Sequence, residues 1–272
     1  MKRIPAPAKL NLALVVGAAG ADGRHEVATV LQRLDLADRI TLEQADRLSV
    51  SGFREDTLVR EALRRLAAAA GVEPRWAARI AKRIPVAAGL GGGSSDAASA
   101  LMLANKTLSE PLDPAALHEL AAGLGADVPF FLEPGPALAT GNGAELRGLE
   151  LPQDFWVVVV LPSGEVKRST ADVYRAFDAR GGEQGFDARR TALLEALAQV
   201  RRPRDLGRLP ANDLASSAVA EELLARGAFR ADVTGAGPAV YGLFMQRAAA
   251  ERAAAGLRPF GRVWVTVPAW YG

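Results

Sequence analysis

The chain has 272 residues, 49% of them hydrophobic and 24% charged, the profile of a globular protein with one large domain or two modest ones. Lys and Arg number 33 against 31 Asp and Glu; with a formal charge of +2 and no aromatics in the densest basic run, "VRRPR" at 200–204, nucleic-acid binding has little support. The absence of cysteine excludes disulfides, thiol nucleophiles and cysteine-ligated metals, and the two histidines, His25 and His118, share no metal-ligand spacing.

At the start of the chain, prolines 5 and 7 and the alternating polarity after them argue against a secretory leader. No apolar run approaches a membrane span, so a cytoplasmic protein with no membrane partner is expected. From Ala8 to Val15, Leu10, Leu12 and Leu14 alternate with Lys9, Asn11 and Ala13. This predicts a strand with Lys9 and Asn11 on one face, roughly 7 Å apart. Short strands follow at 39–43 and 47–53, then a helix over 56–71 stopped by Gly71. A strand over 76–84 leads into Pro85 and the glycine-rich segment, which opens a further helix. The next helix, 113–125, carries Asp113 at its cap, Pro114 in its first turn and Gly125 past its end. A Gly- and Pro-rich break at 134–154 precedes the apolar strand 155–162. Helices are expected near 170–179, 188–200, 213–226 and 247–256, and strands near 229–233, 239–244 and 262–268. Mixed strands and helices without strict βαβ alternation favour an α+β fold.

The segment "PVAAGLGGGSSDAA" (85–98) carries the first chemical signal. Gly89, Gly91, Gly92 and Gly93 admit a close ligand, Ser94 and Ser95 add hydroxyls, and unpaired N–H groups at a helix N-terminus favour an anion. A tight strand-to-helix turn would use glycine equally well. No lysine follows in the P-loop position, Ser94 stands where a dinucleotide fingerprint needs its last glycine, and the protein-kinase motifs are missing.

This loop resembles that of the GHMP kinases. So do "PAKLNL" (7–12), "DGRH" (22–25), "LGADVPFFL" (124–132), "NDL" (212–214) and "TGAGPAVYGLF" (234–244), which follow in the superfamily's order over nearly the whole chain. The resemblance is to the branch that phosphorylates the 2-hydroxyl of a cytidine diphosphate-linked methylerythritol in the non-mevalonate isoprenoid route. It implies a two-domain GHMP kinase fold, with a ribosomal protein S5 domain 2-like half over residues 1–150 and a ferredoxin-like half over 151–272. It implies ATP and Mg²⁺ as cofactors, with the metal's ligands left open, and a monomer or weak homodimer.

The resemblance further implies that Asp127 is the catalytic base, that Lys9 polarises the hydroxyl, and that Gly235 and Gly237 form a second glycine loop. Pro85, Ala88, Gly89, Leu90, Gly91, Gly92, Gly93, Ser94 and Ser95 would contact ATP. Asn11 would orient the acceptor alcohol, and His25 would read the cytosine edge. Arg24 stands where the family usually has an aromatic residue; a guanidinium plane can also stack on a base. Tyr174 is a candidate for the opposite face of the base. Each residue has a plainer reading: Asp127 as a helix cap, Lys9 as a solvated strand residue, Asn11 as an edge-strand hydrogen bonder and Tyr174 as core. Asp96 could stabilise its helix N-terminus or meet Mg²⁺. A homoserine or mevalonate type of GHMP kinase, or a noncatalytic nucleotide-binding regulator, remains an alternative.

Overall fold

The structure, a computed structural model, describes residues 1–21, 23–56, 58–163 and 169–269. Asp22 of "DGRH" and residues 167 and 168 of the predicted helix's lead-in, "KRST", lie outside them. In chain order come β1 (Lys2–Ala19), β2 (His25–Gln44), β3 (Ser49–Ser51), α1 (Leu58–Ala69), β4 (Trp76–Ala81), α2 (Gly92–Asn105) and α3 (Pro114–Leu124). A short 3-10 turn, Pro129–Leu132, is followed by β5 (Ala137–Thr140), β6 (Glu145–Gly148), β7 (Trp156–Pro162), α4 (Thr170–Ala179) and α5 (Phe186–Ala198). The chain then forms α6 (Ala218–Ala225), β8 (Arg230–Val233), β9 (Val240–Phe244), α7 (Arg247–Leu257) and β10 (Gly261–Thr266).

Two compact units interleave along the sequence. The first comprises residues 1–8, 36–86 and 91–134, and the second 9–35, 87–90 and 135–272. In the first unit β4 pairs antiparallel with the second half of β2, from Arg39↔Ala81 to Gln44↔Trp76, and parallel with β3. Helix α1 turns Val59, Ala62, Leu63, Leu66 and Ala67 inward. Its start is fixed by Asp56, whose Oδ1 accepts the Val59 N–H at 3.0 Å. Asp113 caps α3 in the same way, accepting from Ala116 N at 2.8 Å, with Pro114 in the first turn as expected.

In the second unit a four-stranded antiparallel sheet runs in the order β10-β7-β9-β8. Val158 and Val160 meet Val219 and Leu223 of α6 and Ala250, Ala253 and Leu257 of α7 in one apolar core. The first half of β2 pairs with β5, and β5 with β6. Arg230, on β8, is buried, donating to the carbonyls of Leu209 at 2.6 Å and Pro210 at 2.7 Å and to the Tyr241 hydroxyl at 3.0 Å. Its guanidinium also faces Asp232 at 3.4 Å, where burial raises the carboxyl and the arginine opposes the rise. Arg230→Met would leave these acceptors without their donor and Asp232 without its countercharge. We expect a loss of about 2–4 kcal/mol, measured as a lower urea midpoint at unchanged m.

Several boundaries differ from the sequence expectation. Residues 6–17 of β1 are buried on both faces, so the alternation at 8–15 marks a strand longer than it suggested and with no wet side. The upstream part of β2 was not expected, because Val27, Val30, Leu31 and Leu34 fall at helical spacing; they form the buried part of a 20-residue strand. The break at 134–154 contains the β5–β6 hairpin, and Gly141 and Gly143, both at positive φ, make its turn. The strand expected at 47–53 is confined to 49–51. The strand expected at 76–84 stops at Ala81, since the next residues turn to bond Asp38. The helix expected from 213 starts at Ala218, because Asn212 and Asp213 are engaged elsewhere.

Candidate active site

Lys9 and Asn11 lie on one face of β1, and both are buried. An ammonium in that position must be solvated by the protein. Lys9 Nζ donates to Asn11 Oδ1 at 2.6 Å, which orients the amide so that Nδ2 donates to Thr29 Oγ1 at 2.8 Å. Thr29 in turn donates to the Ala13 carbonyl at 2.7 Å. The relay therefore holds Asn11 in one orientation and sets the lysine head against its oxygen.

The same group of residues anchors both glycine segments. Lys9 N donates to the Leu90 carbonyl at 2.9 Å and Ala239 N to the Ala88 carbonyl at 3.1 Å. Asn11 N donates to Thr234 Oγ1 at 3.1 Å, and that hydroxyl points at Gly89 O, 3.3 Å away. Gly89 has φ +80°, and a Cβ there would meet the Thr234 carbonyl at 2.3 Å, so no other residue fits. A Cβ on Gly235 would fall 3.3 Å from Lys9 Nζ and 3.4 Å from Asn11 Oδ1, placing the second glycine loop directly against the buried lysine. Asn212 supports that loop by donating to Gly235 O at 2.7 Å and Val233 O at 2.9 Å. Asp213 accepts from Val16 N at 2.9 Å and Arg189 Nε at 3.0 Å. The "NDL" segment is thus a brace. The motif alone assigns it no role, and neither Thr29 nor Thr234 carries a local signal of its part.

After Leu90 the loop enters α2 through Gly91, a left-handed N-cap at φ +68° that supplies no side-chain cap. The first-turn N–H groups are left to another acceptor, and Gly93 is exposed beside them. Ser95 Oγ, fully buried in this turn, has no hydrogen-bond partner among the described residues. A missing cap, an orphan hydroxyl and bare glycine backbone fit an anionic ligand such as a nucleotide phosphate. Ser94 is partly buried at the helix entry. Pro85, Ala88 and Leu90 are buried, and the carbonyls of Ala88 and Leu90 are already engaged by Ala239 and Lys9.

His25 begins β2, and its Nε2 lies 2.7 Å from Asp178 Oδ1. Its ring sits 4.6 Å from that of Tyr174, tilted by 34°, and edge-on to Phe177. Tyr174, Phe177 and Asp178 all come from α4, whose start is fixed by a Ser169–Asp172 capping box. The two residues expected at the base, His25 and Tyr174, are thus neighbours; Asp178, one helical turn beyond Tyr174, was missed. Arg24 is exposed in the turn before His25. A cavity of about 480 Å³ is lined by Val173, Arg180, Ser217, Ala236 and Gly237, linking α4 to the second glycine loop.

Asp127 lies in the turn between α3 and the 3-10 segment and is half-buried. Val128 occupies that segment's N-cap position and supplies no side-chain cap. Asp96 faces Lys82 Nζ at 2.8 Å, a contact that no local pattern announces.

Comparison with known proteins turns this geometry into a family assignment. Residues 57–135 match the GHMP kinases N terminal domain, and 192–262 match the GHMP kinases C terminal region. A protein named 4-diphosphocytidyl-2-C-methyl-D-erythritol kinase from Anaeromyxobacter sp. (strain Fw109-5) is 39% identical, over 92% of this chain and 84% of its own. One of the same name from Chlorobium phaeobacteroides (strain BS1) is 36% identical, over 97% and 96%. The chain belongs to the 4-diphosphocytidyl-2-C-methyl-D-erythritol kinase family of GHMP kinases. A crystal structure of 4-(cytidine 5'-diphospho)-2C-methyl-D-erythritol kinase superposes on this GHMP kinase with a TM-score of 0.80 at 35% identity, covering 98% of this chain and all of that one. A mevalonate kinase superposes at 0.77 with 14% identity, which is a likeness of fold alone. The α+β, two-domain GHMP kinase fold expected from the motifs is therefore the fold of this chain.

Proposed function

We propose that this GHMP kinase transfers the γ-phosphoryl group of ATP to the 2-hydroxyl of 4-diphosphocytidyl-2-C-methyl-D-erythritol, in the non-mevalonate route to isopentenyl diphosphate. The observation that carries the substrate is the 39% identity, over nearly the full chain, with a relative named for it. The division into two family halves near residue 150 belongs to the same reading and is supported by matched segments on either side of it. So do a cytoplasmic location and a monomer or weak homodimer.

The chemistry assigns each residue a task. Mg²⁺, carried on the nucleotide because it prefers phosphate oxygens and retained waters, offsets the phosphates' charge. The open first turn of α2, with Gly91, Gly92, Gly93 and the hydroxyls of Ser94 and Ser95, is the proposed seat of those phosphates. Lys9, fixed by Asn11, polarises the acceptor hydroxyl and stabilises the charge that develops there. Asp127 accepts the hydroxyl proton as the new P–O bond forms. Gly235 and Gly237 close over the acceptor, next to the lysine.

At the cytidine end, a carboxylate can only accept, so Asp178 draws the proton of His25 to Nε2. With that proton on Nε2, Nδ1 is the ring's acceptor, which suits the amino group of cytosine and not the carbonyl of uracil. His25→Ala is expected to raise KM for the cytidine substrate by about tenfold or more while leaving KM for ATP within about twofold. The uridine analogue should be a poor substrate of the wild type. The function itself is tested by mass spectrometry of the acceptor after incubation with Mg²⁺ and ATP: a product heavier by one phosphoryl group is expected, and unchanged acceptor with folded, ATP-binding protein would refute it.

A further inference from the structure

A buried charge cluster lies beneath the glycine loop, and none of the steps above uses it. Asp38, on β2, has a fully buried side chain. Its Oδ1 accepts the backbone N–H groups of Arg83 at 2.5 Å and Ile84 at 2.8 Å, and its Oδ2 accepts Lys82 Nζ. Lys82 also reaches Asp96 Oδ2, five residues after the Gly91 cap of α2, at 2.8 Å. A Cβ on Gly92 would come within 3.3 Å of the same Nζ, so the ammonium sits against the loop. One lysine thereby ties the strand that enters the loop to the helix that leaves it, and Asp38 holds both the lysine and the loop's entry.

We propose that Asp38 is a positioning residue for nucleotide binding, acting through Lys82 to hold the glycine loop in the shape that receives the phosphates. The inference rests on the reading of residues 85–98 as the ATP phosphate loop.

The charge count makes it testable. Three donors meet Asp38, whereas Asp96 shares one ammonium and its Oδ1 has no hydrogen-bond partner among the described residues. Burial, the strongest influence, pushes the Asp96 carboxyl up to about 7; Lys82 opposes the rise and Asp38 adds to it. For Lys82, burial acts downward, but the two carboxylates outweigh it and hold the ammonium above its ordinary value. Lys82 and Asp38 are the charged groups acting on Asp96. The other elements packed on α2 turn apolar faces inward: Val59, Leu63 and Leu66 from α1, Phe130 and Phe131 from the 3-10 turn. With Asp96 protonated the cluster is neutral; with Asp96 ionised it carries one negative charge beside the phosphate seat. Binding an anion there favours the protonated form, so affinity for ATP falls as pH rises through about 7.

The test is calorimetric titration of Mg·ATP into wild type, Asp38→Asn and Asp96→Asn at about pH 6 and about pH 8. The ligand's own titration is common to all three. We expect the wild-type Kd, taken as a ratio to that of Asp96→Asn, to rise about tenfold between the two pH values. Asp38→Asn keeps an oxygen for the backbone N–H groups but turns a donor towards Lys82, releasing the lysine from β2. Its affinity should fall about tenfold, and its pH step should move to lower pH because Lys82 is left to Asp96 alone. An Asp38→Asn protein within twofold of wild type, with the pH step unmoved, would overturn the proposal. If that variant does not fold, Asp96→Asn decides: a pH dependence identical to wild type overturns it. Wild type that binds no ATP at either pH refutes the phosphate-loop reading, and this inference with it.

Discussion

Asp127→Asn is expected to lower kcat about a thousandfold while leaving the Kd for ATP within about twofold. The size follows from what a positioned base contributes to proton transfer, roughly 10²–10⁴ in rate. The selectivity follows from its place: Asp127 stands in the turn before the 3-10 segment, far in sequence from the glycine loop, and Asn preserves its volume. Steady-state kinetics with calorimetric ATP binding separates three cases. A catalyst loses turnover and keeps the nucleotide. A noncatalytic nucleotide-binding protein has no turnover to lose. A purely structural carboxylate would show its loss in thermal stability, with kcat nearly intact.

Gly89→Ala is expected to reduce kcat/KM by about a hundredfold or more, with a lowered melting temperature. Two effects combine. The left-handed backbone disfavours any L side chain by about 1–2 kcal/mol. In addition, the new methyl would stand 2.3 Å from the Thr234 carbonyl, a backbone atom that cannot move without shifting the second glycine loop. Thr234 also receives the Asn11 N–H, so the displacement reaches the strand that carries Lys9. Gly93→Ala is the control. Its nearest neighbour is Leu58 Cδ1 at 3.4 Å and its backbone is helical, so the fold should keep its stability and any loss should appear as a raised KM for ATP. Equal losses at 89 and 93, with unchanged melting for both, would contradict this account.

Those two glycines mark what could be read from the sequence. The run 89–93 announced bare backbone at the mouth of a helix, and the structure has it: Gly89 packs against backbone, while Gly91–Gly93 open α2. Local chemistry was also legible in Asp113–Pro114, whose cap has the expected form, and in the period-2 pattern that set Lys9 beside Asn11. Contacts between distant segments were not. Asp38 and Lys82 read as ordinary surface charges because nothing local shows that β2 and the end of β4 bury them together with Asp96. Asn212 and Thr234, 22 residues apart, gain their bracing role only when β8 brings them to one loop. Residues 27–34 carried no strand signal for a related reason: a strand buried on both faces loses its alternation.

The most direct test is a coupled ADP-release assay with Mg²⁺ and ATP, comparing 4-diphosphocytidyl-2-C-methyl-D-erythritol with homoserine, mevalonate and no acceptor. Turnover with the cytidine compound, at least about a hundredfold above each of the others, is the predicted result. Turnover with homoserine or mevalonate in its place would keep the kinase and contradict the pocket. No turnover with any acceptor, from folded protein that binds ATP, would contradict the reaction built on Lys9 and Asp127.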